Sequence, residues 1–228
     1  MKRLQAEADR ATHETIRRLA IAVELRDEET GHHIDRMAAY CELIALHLDL
    51  GVDYAAMLRR AAPLHDVGKI AIPDRILLKA GALTSAERTV MQSHTEVGYQ
   101  LLSGTGNDEL DLAASIARTH HERVDGTGYP RQLRGEEIPF EGRIASVAEV
   151  FDALTSDRVY HSAVSIEAAA DYLRSGRGTS FDAAIVDVLI EHLDEADDIR
   201  HRYADELLRP QPYGLGETRP LATIAIEQ

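Results

Sequence analysis

His120-His121-Glu122-Arg123 runs into Asp125-Gly126 and then Gly128-Tyr129-Pro130. Adjacent histidines suit a metal better than they suit a packed core. The glycines and the proline behind them force a loop, so the pair sits where a helix ends and a cleft can open. Upstream, His65-Asp66 is followed by Lys69. Two such clusters, far apart in sequence, point to one polynuclear metal site assembled in space.

The other histidines sort by surroundings. His13, His47, His192 and His201 sit among charged residues and read as solvent-facing. His33, His65, His94, His120 and His121 lie at the ends or on the apolar faces of predicted helices. A lone histidine such as His94 is usually a hydrogen-bonded core residue. Five of them with carboxylates at set offsets are better explained as ligands. Glu29 and His33, spaced i, i+4, share a helical face, a spacing that also arises by chance. His65-Asp66 at a helix end can serve two neighbouring ions, with Asp66 bridging. Imidazole plus carboxylate without thiolate suits iron, manganese or zinc rather than calcium.

Phosphoester hydrolysis calls for such a set. Two ions about 3.5–4 Å apart can clamp the charge that develops on phosphoryl oxygens and lower the pKa of a bridging water. Lys69, on the turn after His65-Asp66, can place an ammonium on the phosphate. Asp66 and Lys69 are therefore the expected catalytic pair. No nucleophile-elbow motif is present.

The elements that must hold these residues are helical. Ile16, Leu19, Ala20 and Val23 recur at i, i+3, i+4, i+7. Met37, Tyr40, Cys41, Ile44 and Leu48 form a second stripe, stopped by Gly51. Met57, Leu58, Ala61 and Leu64 lead into His65. Thr84 and Glu87 make a capping box, opening a helix with Val90, Met91, His94, Val97 and Leu101 on one face. Leu112, Ile116 and His120 share another. Ile144, Val147, Ala148 and Phe151 mark a further helix, and two more follow around Ala168–Leu173 and Ile185–His192. No segment alternates with period 2 for long, so no sheet is expected beyond a short hairpin near Gln132–Ile138. Residues 1–15 read as a linker or helix extension and 16–195 as the domain. Residues 196–228, acidic and then rich in Pro and Gly, read as a partly irregular tail.

Composition excludes several classes. A net charge of −14 argues against a duplex nucleic-acid binder, which needs a basic footprint. The single cysteine, Cys41, lies on an apolar stripe and reads as a core thiol in a reducing cytoplasm. No apolar run approaches the roughly 20 residues that span a bilayer, and none near Met1 reads as a signal peptide.

The pattern His-Asp … His-His … Gly-Tyr-Pro resembles the HD-GYP family, a branch of the HD metal-dependent phosphohydrolases. The resemblance runs from about Ile16 to Glu195. It covers Arg26-Asp27-x-Glu29-Thr30-Gly31-x-His33-x-x-Arg36, then His65-Asp66-Val67-Gly68-Lys69-Ile70 with Ile72-Pro73-Asp74. It continues through His94 with Gly98, the loop from His120 to Pro130, and Ile144 to Thr155. It implies an all-α HD-domain helical bundle that hydrolyses cyclic di-GMP to the linear dinucleotide or GMP. It also implies two or three divalent ions, usually iron or manganese. Carried over residue by residue, the metal ligands are Glu29, His33, His65, Asp66, His94, His120, His121 and Glu149. Tyr129 and Arg158 would join Lys69 in facing the substrate. Glu149 stands where the family usually has aspartate, and Asp152, one turn on, is either an alternative ligand or a residue orienting one. His161 replaces a usual basic residue. The implied partners are a cyclic dinucleotide, a diguanylate cyclase or a sensor or receiver domain, and a second copy of the chain. Two alternatives stay open: hydrolysis of another nucleotide, and a catalytically weak receptor or interaction module.

Overall fold

The computed structural model describes residues 14–27, 31–157 and 162–204. Among these residues eleven α-helices occur and no strand. They are α1 (residues 14–24), α2 (Gly31–His47), α3 (Val52–Ala61), α4 (Asp74–Leu77), α5 (Ser85–Gln92) and α6 (His94–Leu102). α7 (Asp108–Thr119), α8 (Phe140–Thr155), α9 (Ile166–Ser175), α10 (Ala183–Glu191) and α11 (Leu193–Arg202) complete the bundle.

α2 is the axis of the packing, with α3, α8, α10 and α11 laid against it; α7 joins α3, α6 and α8. Its stripe of Ile34, Met37, Tyr40, Cys41 and Ile44 is fully buried. Tyr40 meets Phe151 of α8 edge-on, with ring centroids 5.1 Å apart, a favoured aromatic geometry. Burial pushes the Cys41 thiol well above its usual pKa, as a core thiol requires. No described helix is long and apolar enough to cross a membrane.

Local chemistry starts the helices where expected. The Thr84–Glu87 capping box is present at α5. Asn107 accepts from Glu109 N and Leu110 N at the start of α7, where Asp108, Glu109 and Asp111 also complement the helix dipole. Ser165 and Asp182 cap α9 and α10 in the same way.

Two expectations are corrected. Gln132–Ile138 forms no hairpin; it is a loop around a 3₁₀ turn at Gly135–Glu137. The helix opened by Thr84 breaks at Ser93, whose Oγ donates to Val90 O at 2.6 Å while Thr95 Oγ1 donates to Gln92 O at 2.9 Å. Such bonds compete with the helical ladder. The break rotates α6 so that His94, Thr95, Gly98 and Leu102 face inward, leaving Val90 and Leu101 exposed. α11 lies against α2 and buries Ala196 and Ile199.

One contact sets the approach of two site elements. The 3₁₀ turn Val67–Ala71 lies on α6. A Cβ on Gly68 would stand 1.9 Å from His94 O and 2.6 Å from Gly98 N. Those atoms belong to backbone and cannot swing away. Gly68→Ala should therefore lose about 3 kcal/mol or more, the upper end for overpacking. A thermal melt should show Tm falling by about 6–12 °C; an unchanged Tm would remove this contact from the fold's requirements.

Candidate metal centre

His65 follows a 3₁₀ turn, His94 opens α6 and His120 caps α7. Each meets a carbonyl oxygen of the preceding helical turn through Nδ1. His65 Nδ1 lies 3.0 Å from Ala62 O, His94 Nδ1 2.8 Å from Met91 O, and His120 Nδ1 3.0 Å from Ile116 O. A ring nitrogen against a carbonyl must carry a proton, so Nδ1–H donates and Nε2 is the nitrogen left to face an ion. This is the arrangement that orients metal-binding imidazoles.

All three Nε2 atoms are buried without a hydrogen-bond partner, as is Asp66 Oδ1. They converge. His94 Nε2 is 3.1 Å and His120 Nε2 3.6 Å from Asp66 Oδ1, while His65 Nε2 is 3.4 Å from Oδ2. One ligand atom each from Asp66, His94, His120 and His121 falls within 4.8 Å of the others, and Glu24, His65 and Asp66 form a second such set. Asp66 belongs to both. Leaving a buried polar group unpaired costs about 1–3 kcal/mol each. Four unpartnered atoms in two adjoining sets that share Asp66 are relieved together by cations. The N/O donor set without sulfur suits a divalent transition metal.

Residues 17–185 match the HD domain family profile. The chain belongs to the HD domain family. Among its relatives is the cyclic di-GMP phosphodiesterase response regulator RpfG of Xanthomonas campestris pv. campestris. It is 45% identical over 204 residues, covering 90% of this chain and 54% of that protein. The 3′3′-cGAMP-specific phosphodiesterase 2 of Vibrio cholerae is 42% identical, covering 89% of this chain and 39% of that protein. The chain thus spans about half, or less, of the length of these relatives. The crystal structure of a V. cholerae cyclic GMP-AMP-specific phosphodiesterase (V-cGAP3) superposes with a TM-score of 0.59 at 22% identity. It covers 85% of this chain and 53% of that one. That likeness supports the all-α HD fold.

The remaining expected residues take different places in the HD centre. His33, on the first turn of α2, turns Nδ1 to Asp152 Oδ2 at 2.6 Å, and its ring lies 5.7 Å from that of His65. Asp152 also accepts from Arg36 Nε at 2.5 Å through Oδ1. Burial alone would raise the Asp152 carboxyl, but His33 and Arg36 outweigh it and hold the pKa below the usual range. Oδ2 meets His33 and Oδ1 is held by Arg36, so both Asp152 oxygens are engaged within the protein. Glu149, one turn earlier on α8, is half-buried and belongs to neither set of converging atoms. Its charge still helps raise His65 and Tyr129. Glu29, Arg158 and His161 lie outside the described residues.

Lys69 Nζ sits 2.7 Å from Asp66 Oδ2. Its turn is latched from α1's end by Arg26, which donates to Lys69 O, Ile70 O and Ile72 O and pairs with Asp74. The loop after His121 folds around buried Glu122, which accepts from Arg131 N at 2.7 Å and Leu133 N at 3.0 Å. Gly128 is needed there because a Cβ would meet Arg123 N at 2.3 Å. Tyr129 is thereby stacked on His121, centroids 4.6 Å apart and planes 28° off parallel. Of the outlying histidines, His47 stacks on half-buried His192 at 3.5 Å and forms with Glu195 a group separate from the main centre's ligand sets.

The centre holds one residue that motif reading passed over. Glu24 is 2% exposed and its Oε2 has no partner. The available signal was a carboxylate continuing the Ala20–Val23 apolar stripe.

Electrostatics give the centre a pH dependence. Burial disfavours charge on His65, but Asp66, Glu149 and Glu24 lift its pKa to about 10. Burial would raise Asp66, yet Lys69, His65 and His94 hold it well below the usual range. Burial pushes His121 far down, with His120 and His94 adding to the fall. Below pH 10 the ion-free His65 is therefore protonated on Nε2 as well as Nδ1, and an incoming ion must displace the Nε2 proton. Affinity for Mn²⁺, measured by titration with a competing chelator, should rise about tenfold per pH unit from pH 6 to 8 for each proton displaced. A flat profile would take His65 out of the ligand set.

Proposed function

We propose that this HD domain is a metal-dependent phosphodiesterase that opens a cyclic dinucleotide, cyclic di-GMP first among them, to the linear dinucleotide. The observation that carries the reading is the convergence of three unpartnered Nε2 atoms on the two oxygens of one buried aspartate. Bound there, two divalent ions would polarise the phosphoryl oxygens and acidify a water. Iron or manganese suits the donors best, and a third ion would draw on Glu29.

The chain's own residues divide the remaining work. Asp66 holds the two ligand sets in register through its separate oxygens. Lys69 contributes a fixed positive charge next to that carboxylate, where a phosphoryl oxygen can compete for it. Arg26 keeps the lysine's turn from drifting. Tyr129, flat against His121, presents a ring at the edge of the site on which a nucleobase can stack. Water adds to phosphorus, the P–O bond to the neighbouring sugar opens, and the released oxygen takes a proton.

The 42%-identical relative named as 3′3′-cGAMP-specific supports a second reading, with the mixed dinucleotide as substrate. A sensor or receiver partner is proposed because RpfG is named a response regulator and this chain covers 54% of it.

Product chromatography with cyclic di-GMP, 3′3′-cGAMP and the linear dinucleotide, run beside metal analysis, tests the proposal. Asp66→Ala should remove at least one ion per chain and all hydrolysis together. Turnover at the wild-type rate by Asp66→Ala would refute the assignment. Lys69→Ala should instead keep the ions and lower kcat by about 10²–10³, the usual loss for one charge-stabilising donor. An effect on KM alone would make Lys69 a binding residue without a part in the chemical step.

A further inference from the structure

We infer that Glu24 is a metal ligand of the HD centre, completing with His65 and Asp66 an ion position beside the one framed by Asp66, His94, His120 and His121. This rests on the proposed metal centre and extends it to a residue of α1.

Glu24 ends α1 on the inward face, following Ala20 and Val23, both buried. A glutamate on such a stripe normally turns its head to water or to a basic partner. This one turns inward, among Lys69, Asp66, His65 and His33. It is 2% exposed, and Oε2 is buried with no hydrogen-bond partner. One of its oxygens lies within 4.8 Å of ligand atoms from both His65 and Asp66. His65 offers an unpartnered Nε2 there, because its Nδ1–H is committed to Ala62 O. Asp66 offers Oδ2 on that side, while Oδ1 faces His94 and His120. Two oxygens and an imidazole nitrogen, all buried, make a ligand set of the kind that non-haem iron and manganese take. A buried carboxylate oxygen without a partner is expensive to keep; an ion supplies the partner.

The first test is Mn²⁺ binding to wild type, Glu24→Gln, Glu24→Met and His94→Ala, by equilibrium dialysis with metal analysis and by electron paramagnetic resonance. Glu24→Gln and Glu24→Met should each lose one ion per chain or weaken it at least tenfold. Any exchange-coupled manganese signal of the wild type should give way to an isolated-ion signal. The ion-free variants should melt at or above the wild-type Tm, since each removes a buried carboxylate with an unpartnered oxygen. Wild-type ion count and affinity in both Glu24 variants would overturn the inference. So would a drop of more than about 5 °C in ion-free Tm in both, because that would mark a carboxylate the fold itself requires. His94→Ala separates the two levels. If it loses an ion while the Glu24 variants do not, only this inference fails. If none of the variants loses an ion, the centre itself is wrongly assigned.

Discussion

Everything at this site is organised by the burial of one carboxylate. Asp66 is 4% exposed and ringed by three imidazoles and an ammonium. In water such a group needs no company. Inside a helical bundle it must be met by polar or charged partners, and the chain brings them from three segments: residues 65–69, the start of α6 and the end of α7. The two oxygens then do different things: Oδ1 looks toward α6 and α7, and Oδ2 toward His65 and Lys69. A single side chain thus defines both halves of the centre and the line between them.

Holding those segments together falls to the backbone as much as to the core. Gly68 lets a 3₁₀ turn lie directly on the first turn of α6, which fixes how far His94 stands from Asp66. The three histidine Nδ1–H groups donate to carbonyls of their own chain segments, so each ring is aimed by the helix end that bears it. His33 is aimed differently, by Asp152 across the bundle. Arg36 backs that aspartate and also donates to Tyr203 O beyond α11 at 3.0 Å. Core packing alone would leave these rings free to rotate.

What the residues disclosed in advance follows from the range of the forces involved. Helices marked by a periodic apolar stripe, such as α2, α7 and α8, were readable because that signal is local. His65, Asp66, His94, His120 and His121 were readable as a set because so many ligand-type side chains have no ordinary use in a core. The break at Ser93 was hidden: the apolar period runs through it, and only side-chain bonds back to the preceding turn reveal it. The loop at Gln132–Ile138 is shaped by Glu122, nine to eleven residues earlier, which strand propensity does not register. The acidic character of α11 masked the pair Ala196 and Ile199 that anchors it. Glu24 was passed over because a glutamate in a helix is ordinarily surface, and its burial shows only when its surroundings are known.

α1 reaches the centre in two ways within three residues. Glu24 faces His65 and Asp66, and Arg26, just past the helix end, grips the carbonyls of the turn that bears Lys69. Successive helical residues are set about 100° apart. The azimuth of this one helix therefore decides at once where a carboxylate stands and where an ammonium can reach. A carboxylate facing the centre and the seat of its ammonium are thus fastened to one stretch of chain, remote in sequence from the histidines of α6 and α7.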